Sequence, residues 1–132
     1  MPHEIVTEVA NRLDAKVLTR FEDSNGYQGV IYYVLTKSNT YSIVSVHYGT
    51  CALCDFQLGL IQSYQENNPD AGNDIPLSAF EPMINGLVRD AKDIGFHSIE
   101  SLLTKFDMVF GVGYSEELVR EEVLKYLLRN CL

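Results

Sequence analysis

Apolar residues recur with two different periods along this chain, and the change of period predicts which segments are helices and which are strands. Near the N-terminus, a period of three to four residues predicts one buried face of a short helix that begins near Pro2. That face consists of Ile5, Val6, Val9, Ala10 and Leu13. We expect this helix to pack against the rest of the fold.

Residues 16–48 are rich in β-branched and aromatic side chains, which favour strands. Turn residues interrupt this stretch at Asn25 and Gly26, and again at residues 37–39. The sequence therefore predicts three strands joined as an antiparallel meander. Their expected positions are 16–21, 27–36 and 40–48.

The third predicted strand has one face that is more apolar than the other, because side chains alternate between the two faces of a strand. The face expected to lie on the core carries Ser42, Val44, Val46 and Tyr48. The more polar face carries Tyr41, Ile43, Ser45 and His47.

Beyond Gly49 the apolar period becomes helical again. A helix of about three turns is expected to lie against the sheet and to begin after either Thr50 or Asp55 as its N-cap. Its apolar positions are Leu53, Phe56, Leu60, Ile61 and Tyr64. The polar segment 65–75 follows as a loop long enough to move or to insert into a partner.

Three further helices are predicted in the C-terminal half. Ser78 and Glu81 form a capping-box pattern at the start of one helix, and Gly95 marks its end. Ser98 caps a short helix that extends to residue 106, and Ser115 begins the last one.

Taken together, the elements predict a single α+β domain over residues 1–132, in which a three-stranded antiparallel meander packs against four to five helices. The hydrophobic fraction of 46% suffices for a core without obligatory disulfides or metals. No apolar run approaches the ~18–20 residues of a membrane span, and the N-terminus lacks the pattern of a signal peptide. We therefore expect a cytoplasmic protein with no membrane contact.

The formal net charge is −8, and the ten Lys and Arg residues are scattered along the chain. Because no basic stripe exists to neutralise a phosphate backbone, direct nucleic-acid binding is not expected. The same acidity would attract a protein with a basic surface, such as the groove of a nucleic-acid-handling protein.

Candidate chemistry concentrates in residues 47–55, which place two of the three cysteines, Cys51 and Cys54, on a turn directly after a strand. If Thr50 is the N-cap, both thiols lie in the first turn of a helix, where the helix dipole favours thiolate. Cys51 would then be the nucleophile of a dithiol redox pair and Cys54 its resolving partner. The meander before the motif weighs against this interpretation, because such redox motifs usually follow a parallel βαβ unit.

If Asp55 is the N-cap instead, the cysteine pair resembles a metal-binding knuckle, and His47 becomes a third ligand. A tetrahedral zinc site needs four ligands, so zinc is an alternative cofactor only with one more donor. The candidates for that donor are Asp55, His97, Cys131 and water. Structural zinc sites usually show two ligand pairs, whereas this chain has one clear pair.

The simplest interpretation of Cys51 and Cys54 is that they pack as small hydrophobic residues between strand and helix, with no cofactor. The chain carries no Ser-His-Asp elbow, Walker loop or paired catalytic His. A non-enzymatic role is therefore favoured.

Acidic residues form a stripe on the predicted last helix, where they are Glu116, Glu117, Glu121 and Glu122. Such a stripe is usually a solvated face, and acids in a first turn also complement the helix dipole. With the loop 65–75, it is the candidate surface for a protein partner. The apolar face of the same helix offers a homo-oligomer as an alternative, although core packing is its commoner use.

The residues Tyr48, Gly49, Thr50, Cys51, Cys54 and Asp55 resemble a Tyr-Gly-Ser-Cys-x-x-Cys-Asp pattern of small uncharacterised phage and prophage proteins. This chain departs from the pattern at Thr50 and in the pair of residues between the two cysteines. The resemblance implies a small accessory protein that binds a host protein in the host cytoplasm. It brings no established activity with it.

The leading hypothesis is a small, acidic interaction protein that binds a partner or host protein. The competing hypothesis is a zinc-binding or thiol-redox protein that uses Cys51 and Cys54. The two hypotheses differ in whether substitution of these cysteines changes stability or activity.

Overall fold

The computed structural model describes residues 2–25, 28–48 and 56–104, together with helical residues 125, 126, 128 and 129. The N-terminal helix and the three strands are α1 (Pro2–Arg12), β1 (Lys16–Asn25), β2 (Gln28–Lys37) and β3 (Thr40–Tyr48). The helices that follow are α2 (Phe56–Asn67), α3 (Glu81–Ile94) and α4 (Ile99–Thr104). Two 3₁₀ helices, Pro69–Ala71 and Leu77–Phe80, lie between α2 and α3. The predicted α+β architecture is confirmed, with four α-helices in the described part of the chain.

The three strands form one antiparallel sheet in the order β1-β2-β3, which confirms the predicted meander. The turn between β2 and β3 consists of Ser38 and Asn39, whose φ angles of 49° and 61° are those of a type I′ hairpin turn. β1 extends to Asn25, beyond its predicted end, and is interrupted by a bulge between Val17 and Thr19. β1 and β3 are therefore the two edges of the sheet.

One face of the sheet packs against α1 and α3, as the alternation in β3 predicts. All five apolar residues predicted for the buried face of α1 are buried in this layer. The sheet contributes Ile31, Tyr33, Leu35, Val44 and Val46, and α3 contributes Met83, Ile84, Leu87 and Ala91. Ser42 is also fully buried on this face.

The opposite face of the sheet is buried as well, which the sequence interpretation did not anticipate. Val30, Tyr32, Val34 and Ile43 form a second cluster with Ile99 and Leu102 of α4. Tyr126 packs at the border of this cluster, and the centroid of its ring lies 5.7 Å from the centroid of the Phe21 ring. The sheet is thus a middle layer between helices, and only the end of β3, at Ser45 and His47, keeps the polar character expected for this face.

The predicted capping box at Ser78 and Glu81 is wrong. Ser78 lies inside the 3₁₀ helix Leu77–Phe80, and α3 begins at Glu81 with no side-chain hydrogen bond at its cap. The carboxylate of Glu81 binds the guanidinium of Arg12 instead, because an ion pair with two hydrogen bonds is stronger than a neutral cap. The predicted end is correct, since Gly95 has a φ of 81° and its N–H donates to the carbonyl of Ala91.

The polar segment 65–75 is more regular than the predicted loop. α2 continues to Asn67, and the 3₁₀ helix Pro69–Ala71 follows almost directly. The side chain of Gln65 donates to the carbonyl of Gly72 at 2.9 Å, and that of Asn68 donates to the carbonyl of Tyr64 at 3.0 Å. These bonds close the segment onto α2.

The short helix after Gly95 begins as predicted. The hydroxyl of Ser98 accepts a hydrogen bond from the N–H of Ser101 at 3.2 Å, which is the bond expected of an N-cap. α4 is described to Thr104, and the rest of its predicted length lies outside the described residues. No described helix is both long and apolar enough to cross a membrane.

Candidate functional site

The structure describes one residue of the predicted cysteine site. His47 lies near the end of β3 with its side chain exposed, and the described helix after it begins at Phe56. Cys51, Cys54, Asp55 and Cys131 lie outside the described residues, and so does the choice between the two helix starts. Among the residues the structure describes, no group of three or more His, Cys, Asp or Glu side chains is placed to hold a metal.

His97, one of the candidates for a fourth zinc ligand, is not brought beside His47. Its backbone pairs with Tyr41 near the start of β3, six residues before His47. A strand rises by ~3.3 Å per residue, so a spacing of six residues separates the two histidines by roughly 20 Å along β3. The Nε2 atom of His97 also lies 2.5 Å from the carbonyl oxygen of Ile94, so its ring is already engaged.

The acidic residues of the predicted last helix are likewise not described. They are Glu116, Glu117, Glu121 and Glu122. Their role as a surface for a partner stays a prediction.

A groove runs along the outer edge of β3 and faces α3. It consists of two cavities of about 330 Å³ and 210 Å³, which share Ser45 and Asp90 in their walls. The larger cavity also contacts His47, Phe56 and Met83, and the smaller one contacts Ile43, Asp93 and Ile94. We call the two together the β3 groove.

The larger cavity of the β3 groove contacts described residues on both sides of the predicted cysteine segment. Phe56 is the first described residue after the segment, and His47 lies before it, next to Tyr48. Both His47 and Phe56 line the larger cavity. The two residues therefore contact the same cavity.

Negative charge borders the β3 groove on its α3 side. Asp90 and Asp93 are exposed, lie three residues apart on α3, and both line the smaller cavity. No Lys, Arg or His of the described segments lies within 4.0 Å of either carboxylate. The C-terminal half of α3 thus presents two acidic side chains without a basic partner among the described residues.

The first turn of α3 is electrostatically different. Glu81 receives two hydrogen bonds of 2.7 Å from the guanidinium of Arg12, which also donates to Glu8 at 3.2 Å. The hydrogen bonds from Arg12 hold the pKa of Glu81 below its ordinary value, and Glu81 and Glu8 raise the pKa of Arg12. The carboxylate of Glu81 is therefore neutralised inside the molecule, unlike those of Asp90 and Asp93.

The groove also has an apolar component. The side chain of Phe56 is 53% exposed, although phenylalanine is normally buried, and Met83 and Leu87 form part of the wall of the larger cavity. Gly86 leaves this wall open, because a Cβ atom there would meet only the end of the Arg89 side chain at 3.8 Å. The groove offers both an aromatic contact and negative charge to a bound molecule.

Sequence reasoning did not identify Asp90, Asp93 or the exposure of Phe56 as features of a site. In the sequence, the two aspartates occupy positions that are typical of the polar face of an amphipathic helix. Their position beside β3 results from packing between residues far apart in sequence. No local signal in the sequence reports it.

No family model, curated protein or solved structure matches this chain. The resemblance of residues 48–55 to phage and prophage proteins therefore stays a prediction.

Proposed function

We propose that this protein is a non-enzymatic interaction domain that binds a basic segment of a partner protein at the β3 groove. The observation that carries the proposal is the position of Asp90 and Asp93 on an open groove, with no ion-pairing partner among the described residues. Lysine or arginine side chains of a partner would complete these pairs. Charge complementarity of this kind increases association rates and excludes wrong partners.

The composition of the whole chain supports the same class of partner. A net charge of −8 attracts basic proteins over a distance of about one Debye length, ~8–10 Å. Exposed aromatic residues such as Phe56 are enriched in the centres of protein interfaces. An acidic groove with an aromatic wall is therefore suited to a segment that combines basic and apolar side chains.

The expected biological partner follows from the sequence resemblance. Small phage-type accessory proteins act by binding host proteins, and a host protein with a basic, nucleic-acid-binding surface fits the charge of this chain. We propose this class of partner. The acidic residues Glu116, Glu117, Glu121 and Glu122 are proposed as a further contact surface for it.

A selection from a library of random displayed peptides tests the proposal, because it makes no assumption about the partner. Peptides retained by the wild-type protein at low salt are expected to be enriched in lysine and arginine. The double variant Asp90→Asn with Asp93→Asn is expected to lose most of this enrichment. Screening by salt should weaken the selected interactions, since the groove is open to solvent.

The matched control is Glu4→Gln with Asp14→Asn, which removes the same charge from exposed residues outside both the groove and the segment 65–75. This control should retain the same peptides as the wild type. Selection of neutral or acidic peptides, or equal loss of binding in both double variants, would contradict binding at the groove.

A second function is favoured by the position of His47, which lines the β3 groove directly before the cysteine segment. We propose it as a ligand of a zinc site with Cys51 and Cys54, with a dithiol redox pair as the other use of the same cysteines. Native mass spectrometry of protein purified without chelator or reductant separates these uses. Bound zinc lost in Cys51→Ser and weakened in His47→Ala supports the metal site, and a mass deficit of two hydrogens that reductant reverses supports a disulfide.

A further inference from the structure

The hydrogen bonds between Tyr41 and His97 establish which backbone groups of β3 point away from the sheet. The N–H of Tyr41 donates to the carbonyl of His97 at 2.7 Å, and the N–H of His97 donates to the carbonyl of Tyr41 at 2.9 Å. Both groups of Tyr41 are thus directed to the outer edge. Because this direction alternates along a strand, the backbone groups of Ile43 and Ser45 point outward too.

The hairpin turn gives the same assignment independently. In a two-residue hairpin, the residues that flank the turn pair with each other, so the backbone of Thr40 is directed towards Lys37 in β2. The next residue, Tyr41, must then face outward. The register between β2 and β3 contains no bulge, and the alternation therefore continues to the end of the strand.

The outward backbone groups of Ile43 and Ser45 have no described backbone partner. Both residues line the β3 groove, and the described backbone pairing of this edge with another segment is at Tyr41, two residues before Ile43. The other sheet edge is different: β1 carries a bulge and the exposed charged residues Arg20 and Glu22, which are common protections against strand pairing. On β3, residues 42–46 carry no charge and no proline.

We propose that the partner segment binds as an additional strand along the outer edge of β3, paired mainly through Ser45, with a basic side chain on Asp90 and Asp93. The inference rests on the proposed function and names its binding mode. Main-chain hydrogen bonds supply affinity in strand addition, and alternate side chains supply specificity. The pairing begins at Ser45 because Ile43, including its backbone, is only 2% exposed.

Charge decides between the three candidate occupants of this edge. If a second copy of the chain paired its β3 edge with this one, the two pairs of Asp90 and Asp93 would lie close together. Their negative charges would repel each other and oppose the contact. Residues 105–124 of the same chain carry five acidic and two basic side chains, and residues 49–55 carry no basic one. A basic segment of another protein is the occupant that complements the groove.

The probe is a short, fluorescently labelled peptide of alternating lysine and valine, titrated by anisotropy at about 50 mM salt. Two derivatives carry N-methyl groups on every valine or on every lysine. A peptide strand directs alternate N–H groups towards its neighbour, so one derivative should lose binding by at least about tenfold while the other binds like the parent. Equal effects of the two patterns, whether both bind or neither does, would overturn strand addition.

The aspartate variants distinguish failure of this binding mode from failure of the proposed function. Asp90→Asn with Asp93→Asn should weaken binding of the parent peptide by at least about fivefold, and Glu4→Gln with Asp14→Asn by less than about twofold. If the groove variant weakens binding but the methylation pattern has no effect, the acidic site stands and strand addition fails. If a glutamate-valine peptide binds as well as the lysine-valine peptide, the proposed function fails as well.

Discussion

Arg12, the last residue of α1, and Glu81, the first residue of α3, form a two-pronged ion pair with two N–O distances of 2.7 Å. The guanidinium also donates to the side chain of Asn85 at 3.1 Å, so it contacts two successive turns of α3. This contact joins the two helices that cover the first face of the sheet. It thereby helps to fix the rotation of α3, which directs Asp90 and Asp93 to the β3 groove.

Replacing Glu81 with Gln is expected to destabilise the protein at neutral pH but not in acid. Because Arg12 lowers the pKa of Glu81 in the folded protein, the stabilisation is fully present above about pH 5 and is lost as the pH falls through the lowered pKa. Urea unfolding of both proteins from pH 7 to pH 2 measures the difference. A matched control is Glu66→Gln, which removes an exposed carboxylate that forms no described ion pair.

If the difference in unfolding free energy between wild type and Glu81→Gln were constant from pH 7 to pH 2, the ion pair would not be the source of that difference. Removal of Arg12 should produce the same pH dependence as removal of Glu81. Salt at about 1 M should reduce both effects, because both side chains are partly exposed.

Gly29 is expected to resist substitution because the ring of Tyr48 on the neighbouring strand lies directly over it. The Cβ atom of Gly29→Ala would overlap ring atoms of Tyr48, and displacement of the ring should lower the free energy of unfolding by about 1–3 kcal/mol. The same substitution at Gly86, which has open space, should raise it by about 0.5–1 kcal/mol. Adding Tyr48→Ala should make Gly29→Ala nearly neutral, and full additivity of the two changes would exclude the clash.

Tyr33→Phe is expected to leave stability unchanged or to raise it by about 1 kcal/mol. The hydroxyl of Tyr33 is buried in the core that the sheet forms with α1 and α3, and it has no hydrogen-bond partner among the described residues. Its removal therefore relieves a desolvation cost. Thermal or denaturant unfolding measures the change, with Tyr64→Phe as a control at a half-exposed position. A loss of more than about 1 kcal/mol would show that the hydroxyl does have a partner.

Proline substitutions in β3 test which backbone groups face outward. The N–H of Ser45 points away from β2, so Ser45→Pro removes no ladder hydrogen bond and should cost about 2 kcal/mol or less. The N–H of Val44 points into the ladder opposite Tyr33, so Val44→Pro should cost about 3 kcal/mol or more. Equal costs in urea unfolding would reverse or remove the edge assignment on which the proposed strand addition depends.

Local patterns in the sequence were sufficient to predict the sheet. The alternation from Tyr41 to His47 indicated which side of β3 meets the core, and the turn residues Ser38 and Asn39 indicated where the chain reverses. The sequence also contained an indication that the second face of the sheet is buried. Residues 30–35 are apolar without interruption, and strands covered on both faces lack the alternation of apolar and polar residues.

The candidate site was harder to predict, because it depends on contacts between distant residues. The capping box failed because Arg12, far away in sequence, takes the carboxylate of Glu81. The β3 groove depends on the pairing of Tyr41 with His97, which carries the chain across the sheet edge and leaves Ser45 beside Asp90. Neither contact follows from residue types within a local window.

The burial of β2 on both faces has a consequence for how the protein fails. Residues 30–35 are six consecutive apolar residues without charge or proline, and in the native sheet both edges of this strand are paired. In an unfolded chain, the same run has the composition of segments that stack into cross-β aggregates. Destabilised variants should therefore aggregate before soluble unfolded protein accumulates. The solubility of this chain depends on how rarely β2 separates from its two neighbouring strands.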